Sequence, residues 1–181
     1  MKSILNLTVA GLVLALASAA SQAGEVKVSG VHICCGMCVK AIDAALKDVQ
    51  GVSAAKGDAK TKVVVFQAAD DKGAEAGVKA LAAAGFYGEA KHGDVVVAFP
   101  ASGAKADAKA DTIVLTGVHL CCGGCVTAST KAVKEVAGVT DAKGDPKAKT
   151  VTVTGSSVEV AKAVEALNKA GFYAKAGGDT K

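Results

Sequence analysis

Gly30-Val31-His32-Ile33-Cys34-Cys35-Gly36-Met37-Cys38-Val39 is followed, 87 residues on, by Gly117-Val118-His119-Leu120-Cys121-Cys122-Gly123-Gly124-Cys125-Val126, and the two stretches hold all six cysteines of the 181-residue chain. The likeness runs past the thiols. Gly51-Val52 returns as Gly138-Val139, Lys56-Gly57-Asp58 as Lys143-Gly144-Asp145, and Gly85-Phe86-Tyr87 as Gly171-Phe172-Tyr173 with a single residue lost between. Self-similarity over so long a span means a tandem duplication.

Within each copy the hydrophobic period changes in a fixed order. Val26 and Val28, or Ile113 and Leu115, alternate with polar neighbours and predict a strand ending at Gly30 or Gly117. Val39, Ile42, Leu46 and Val49 then recur at helical spacing and stop at Gly51. The second copy keeps Val126, Val133 and Val136 but has Ser129 at the position of Ile42, so its core should be slightly poorer there. Strands are predicted from Val52 or Val139 and through Val64 and Phe66 or Val151 and Val153, with Asp58 and Asp145 as turn residues. A second helix carries Ala74, Val78 and Leu81, or Val160, Val164 and Leu167, and closes at Gly85 or Gly171. A last short strand is expected to begin at Phe86 or Phe172. The order βαββαβ predicts an α+β chain of two tandem ferredoxin-like sandwiches, each with both helices on one face of an antiparallel sheet. The first copy also carries Asp94 to Phe99, read as an added edge strand or hairpin.

The boundaries follow from composition. Residues 1–23 read as an export signal, with Lys2 ahead of an apolar stretch from Leu5 to Ala20 and the small residues Ser21 and Ala23 before a cleavage point. The expected address is therefore periplasmic or secreted, with no membrane insertion once the signal is removed. The first domain is expected over 24–99 and the second over 111–181. Residues 100–110, opened by Pro100 and rich in Ala, Lys and Asp, lack large apolar side chains after the proline and read as a linker. At roughly 70–75 residues each copy has a marginal core, so bound metal would add stability as well as function.

Charge and composition exclude other partners. The formal charge of +4 is too small to imply a polyanion, and every basic residue is lysine. No guanidinium is available to read phosphates or base edges, and with Trp absent there is little to stack on bases, so nucleic acid is excluded. Paired carboxylates, a nucleophile with its base and a phosphate-cradling loop are also missing, so an enzyme is not expected. Three cysteines per copy, packed within five positions, cannot close the long loops that make disulfides useful staples.

The thiols themselves suit a soft metal ion or redox chemistry. Cys35 and Cys38 are spaced as CxxC, with Cys38 in the first turn of a helix, so their sulfurs can converge on one ion; Cys122 and Cys125 repeat the arrangement. Helix amides at that position favour thiolate and should lower both thiol pKa values. In an extended segment His32 and Cys34 lie on the same side of the chain, opposite Cys35.

On the CxxC loop, the βαββαβ order, the Gly-Val after the first helix and the Gly-aromatic after the second, both copies resemble heavy-metal-associated domains. This is the family of soft-metal chaperones and of the amino-terminal repeats of metal-pumping ATPases. The resemblance implies that Cys35, Cys38, Cys122 and Cys125 are ligands, and that the loop holding Phe86 or Phe172 lies beside them. It also implies a metal transporter or another metal-binding domain as partner, with ions passed by thiolate exchange. Where the family has Gly-Met in its GMxCxxC loop, this chain has His32-Ile33 and His119-Leu120, with Ile33 and Leu120 taking the place of a methionine that packs under the loop. Cys34 and Cys121 stand where the family usually has Thr or Ser, and each offers a third thiolate that would make the site trigonal.

For His32 and His119, backbone bonding or shielding of the site is the stronger reading and ligation the weaker. With two or three sulfurs the expected ion is Cu(I), with Hg(II) close behind; a Cys3His set would suit Zn(II) or Cd(II). The competing class is an extracytoplasmic thiol-disulfide oxidoreductase using the CxxC pairs. A further alternative to two independent, exposed sites is one ion or small cluster shared between the copies, folded face to face.

Overall fold

The computed structural model describes residues 23–177. Apart from Ala23, the expected signal segment lies outside the described residues. Among the described residues no helix is long and apolar enough to cross a membrane.

The first half runs β1 (Gly24–Ser29), α1 (Gly36–Leu46), β2 (Val52–Asp58), β3 (Val63–Ala68), α2 (Asp71–Ala83), β4 (Glu89–His92) and β5 (Val95–Val97). The second runs β6 (Lys109–Thr116), α3 (Gly123–Lys134), β7 (Val139–Asp145), β8 (Thr150–Glu159), α4 (Val160–Lys169) and β9 (Lys175–Ala176). The strand orders are β2-β3-β1-β4-β5 and β7-β8-β6-β9, with every strand pairing antiparallel. Mixed α+β halves with the predicted βαββαβ order are thus present twice, and Val95–Val97 is the added edge strand, paired to β4.

Register follows the alternation read from the sequence. Val26 pairs with Phe66 and Val28 with Val64, and all four are fully buried against the helices, as are Ile113, Leu115, Val151 and Val153 in the second half. The buried stripe of α1 is Cys38, Ile42 and Leu46, one residue round from the predicted Val39 start; that of α3 is Cys125, Ser129 and Val133. Ser129 is fully buried and donates to the Val126 carbonyl at 3.1 Å, so its hydroxyl is satisfied within its own helix. What the second half forgoes there is the roughly 1.5–3 kcal/mol that burying an isoleucine side chain contributes.

Helix ends are fixed locally. The Asp70 carboxylate caps α2 by accepting from the Gly73 amide at 2.7 Å. α4 has no side-chain cap, and its first amide, of Val160, donates instead to the Ala108 carbonyl of the connecting segment at 2.9 Å. That segment is tied to the second half elsewhere: Ala176 N donates to Ser102 O, and the Tyr173 hydroxyl donates to Ala101 O at 3.1 Å. β6 begins at Lys109, within the connecting residues, and pairs Lys109 and Ala110 with Glu159 and Val158. Asp58 and Asp145 close the β2–β3 and β7–β8 turns by accepting two backbone amides each.

Gly77, in the middle of α2, is a packing requirement. A Cβ there would sit 2.5 Å from the ring of Phe66. Helix propensity alone would make Gly77→Ala stabilising by up to about 1 kcal/mol. Overpacking against a fully buried ring costs about 1–3 kcal/mol, so the variant is expected to be net less stable, read as a lower midpoint in urea unfolding with unchanged slope.

The last strands start later than predicted. Phe86 and Phe172 lie in an isolated antiparallel bridge with each other, and β4 and β9 begin only at Glu89 and Lys175. The Gly-Phe-Tyr segments are occupied in joining one half to the other.

Candidate metal centre

Each cysteine loop leaves the sheet at a glycine in the left-handed region, Gly30 at φ 78° and Gly117 at φ 75°. Val31 and Ile33, like Val118 and Leu120, then turn inward and are buried, which leaves His32 and Cys34, or His119 and Cys121, on the opposite side. The loop is held from beneath: Val31 N donates to Lys62 O and Val118 N to Lys149 O, both at 3.0 Å, and Lys62 Nζ donates to the Ile33 carbonyl. Cys35 and Cys122 are the N-cap residues of α1 and α3, in extended backbone with no side-chain cap bond. The helix start swings Cys38 and Cys125 back under the loop, where both are fully buried.

The turn solves the reach of Cys34. Its sulfur lies 3.7 Å from that of Cys38, and Cys35 lies 3.9 Å from Cys38 on another side. The second half repeats this at 3.6 Å for Cys121–Cys125 and 3.7 Å for Cys122–Cys125.

The two loops face each other, so the sulfurs do not stop at the half boundary. Cys34 is 3.5 Å from both Cys122 and Cys125, Cys38 is 3.5 Å from Cys121 and 3.9 Å from Cys125, and Cys35 is 4.0 Å from Cys121. All six thiols therefore form one continuous network. This departs from the expectation of two separate sites at exposed tips: the loops lie face to face, as the alternative reading placed them. Exposure falls inward, from Cys34 at the surface, through the half-buried Cys35, Cys121 and Cys122, to the enclosed Cys38 and Cys125.

The halves meet through reciprocal contacts. The imidazole of His32 stacks on Phe172 and that of His119 on Phe86, each with ring centres 4.2 Å apart and planes within 30°. His32 N and Tyr87 N both donate to Gly171 O, and Tyr173 N donates to Gly85 O. The aromatic that the resemblance places beside its own copy's loop thus packs on the histidine of the other copy. Gly85 and Gly171 both have φ 86°, and a Cβ on either would lie 2.3 Å from the backbone nitrogen of His119 or His32.

Burial holds the His32 imidazole down at about 4, helped by nearby Lys62 and by His119, and burial also lowers His119. Both rings are thus neutral at pH 7 and carry a lone pair. Among the thiols, backbone hydrogen bonding at Cys125 and the Cys34 thiol hold Cys122 down at about 6. Burial pushes Cys38 up, but hydrogen bonds from Cys34, Cys121 and Cys35 outweigh it and leave it below the usual thiol value. Desolvation pushes Cys34, Cys121 and Cys125 up. The expected lowering is met at Cys38 and Cys122 and corrected at Cys125, where loss of water outweighs the hydrogen bonds.

Ligand atoms come within 4.8 Å of one another in three groups: Cys38 with His119, Cys121 and Cys125; His32 with Cys34 and Cys125; and Cys34 with Cys35 and Cys122. All eight residues singled out from the sequence are brought to this place. Sequence reasoning placed Phe86 and Phe172 beside their own copy's loop and missed that they, with Gly85 and Gly171, reach the loop of the other copy, although their recurrence as matched triads was a visible signal. His92 lies elsewhere, buried with Nδ1 2.9 Å from the Asp71 carboxylate.

Comparison with known proteins bears on one segment directly. Residues 115–172, which span the second cysteine loop, match the heavy-metal-associated domain family. Two solved structures align over most of the chain at low identity. The solution structure of the N-terminal soluble domains of Bacillus subtilis CopA is 22% identical, covering 89% of this chain and 98% of that one, with a TM-score of 0.32. The water-soluble region of the P-type ATPase CopA from Bacillus subtilis is 20% identical, covering 87% and 93%, with a TM-score of 0.33. No curated protein gives a significant match.

Proposed function

We propose that this chain is a binding and carrier protein for soft metal ions, with Cu(I) favoured and Hg(II), Zn(II) or Cd(II) also accommodated. It works outside the cytoplasm after loss of residues 1–23, as two heavy-metal-associated domains, 24–99 and 111–181, joined through 100–110. The observation that carries this reading is the unbroken network of six sulfurs, with contacts of 3.5–4.0 Å from Cys34 to Cys125. Thiolates are soft donors, and so many within mutual reach select a polarisable cation. The family match of 115–172 supports the same chemistry.

Transfer follows from the gradient of exposure. Cys34, Cys35 and Cys122 face outward, and the lowered thiol of Cys122 is largely thiolate at pH 7. An ion held there can be attacked by a partner's cysteines, on a metal transporter or another metal-binding domain, one sulfur at a time. The thiol-disulfide oxidoreductase reading has no observation in its favour beyond the CxxC spacing.

Reduced, anaerobic protein competing with a moderate chelator is expected to take up Cu(I) and to leave insulin disulfides intact. Insulin reduction with no uptake of Cu(I), Hg(II), Cd(II) or Zn(II) would sink the carrier reading.

A further inference from the structure

We propose that His32, Cys34, Cys38, Cys121, Cys125 and His119 form one dinuclear centre for divalent thiophilic ions of the zinc–cadmium class, in which the Cys38 and Cys125 thiolates bridge two ions. Each ion is completed by one terminal cysteine and one histidine. The inference rests on the metal-binding reading above and gives that site its nuclearity, its fourth ligand and a second class of ion.

Four of the sulfurs form a closed ring. Cys34–Cys38, Cys38–Cys121, Cys121–Cys125 and Cys125–Cys34 are 3.7, 3.5, 3.6 and 3.5 Å, and the Cys38–Cys125 diagonal is 3.9 Å. The ring is thus two triangles sharing the Cys38–Cys125 edge. A metal–sulfur bond of roughly 2.3 Å puts the sulfurs of one tetrahedral ion about 3.8 Å apart. Each triangle therefore matches one face of a tetrahedral ion, and the shared edge is where two ions would be bridged.

The histidines supply an independent observation. Nε2 of His32 and Nε2 of His119 are buried with no hydrogen-bond partner among the described residues. Leaving such an atom unsatisfied costs about 1–3 kcal/mol, and this chain accepts it twice, at equivalent positions. Both rings are held in place by stacking on a phenylalanine of the other half. A ring fixed by one contact and presenting a free lone pair is how a metal-ligating imidazole is usually oriented. His119 falls within ligand distance of all three sulfurs of its triangle, Cys38, Cys121 and Cys125, while His32 reaches Cys34 and Cys125 of its own and closes on Cys38 only when the ion draws the set together.

Charge balance differs with valence. Four thiolates balance two divalent ions, leaving the core neutral around Cys38 and Cys125, both at 0% exposure. Monovalent ions reach the same balance with fewer of the thiols ionised, so Cu(I) and divalent ions load the core in different protonation states. Cys35 and Cys122 lie outside the ring and remain as rim thiols for entry and exit.

The test uses the whole reduced chain and Co(II), a spectroscopic stand-in for zinc. Two Co(II) per chain are expected, with intense tetrahedral ligand-field bands. The paramagnetic resonance of the first ion should fall as the second enters, because bridging thiolates couple the spins. Cd(II) resonances should show mixed sulfur–nitrogen coordination, and His32→Ala or His119→Ala should weaken Cd(II) binding about tenfold or more. Two Co(II) whose signals simply add, together with histidine variants that bind Cd(II) as the parent does, would overturn the dinuclear centre. Cu(I) uptake in that same protein would leave the carrier reading standing; failure of every ion to bind would remove both. The spin-coupling measurement needs no variant and so does not depend on whether the histidine substitutions fold.

Discussion

In a Cys38→Ser chain, metal affinity is expected to collapse in both halves, by on the order of 100-fold or more, since losing even a supporting group of a metal site costs 10–100-fold. Cys38 is the point where the sulfur network converges: it touches Cys34 and Cys35 of its own loop and Cys121 and Cys125 of the other. Serine keeps the size and nearly the shape but replaces a soft, readily ionised donor with a hard hydroxyl. Two independent CxxC sites would respond differently. Half of the capacity, that of Cys122 and Cys125, would persist at the parent's affinity. A Cu(I) titration against a chromophoric chelator separates the two outcomes, with far-ultraviolet circular dichroism confirming that the folds survive. Cys125→Ser should behave in the same way, because Cys125 meets Cys34, Cys38, Cys121 and Cys122.

The second large effect is expected from a methyl group placed at neither a ligand nor a core position. Gly171→Ala puts a Cβ 2.3 Å from the His32 amide nitrogen and 2.5 Å from the Gly30 carbonyl oxygen, both backbone atoms that cannot swing aside. It also forces alanine to φ 86°, a strain of about 1–3 kcal/mol by itself. The cheapest relief is for the halves to part, which breaks the His32 N to Gly171 O bond and the His32–Phe172 stack together. Each half should retain its own sheet and helices. Small-angle scattering should show an enlarged chain, and metal binding should revert toward separate CxxC pairs. Gly85→Ala makes the mirror-image clash with His119 and Gly117, and the double variant should part most completely.

These two expectations mark where the sequence was readable and where it was not. Alternation and helical spacing identified the strands and helices because burial within one copy is a short-range matter of period: Val26, Val28, Val78, Leu81, Val164 and Leu167 are all buried as read. The thiols were identifiable as a site for the same local reason. Their meeting across the copies was not, because no period encodes how two finished sandwiches dock. Gly85 and Gly171 do end their helices, but their positive φ also brings the backbone against the opposite loop. Phe86 and Phe172 have the composition of strand residues, and the partner half outcompetes their own sheet for them. The thiol pKa expectation failed at Cys125 for a related reason. A helix N-terminus is visible in sequence, while the dryness created by a facing loop is not.

The reciprocal stacking of His32 on Phe172 and of Phe86 on His119 makes the chain, in effect, a dimer of a single small unit tied end to end. Tethering sets the effective concentration of one unit about the other at the millimolar level usual for short connectors. Assembly of the sulfur cage is then insensitive to dilution of the protein. Covalent linkage also frees the two faces from identity. Met37 projects from one loop where Gly124 leaves room beside Cys34 in the other, an asymmetry that no pair of identical subunits could encode.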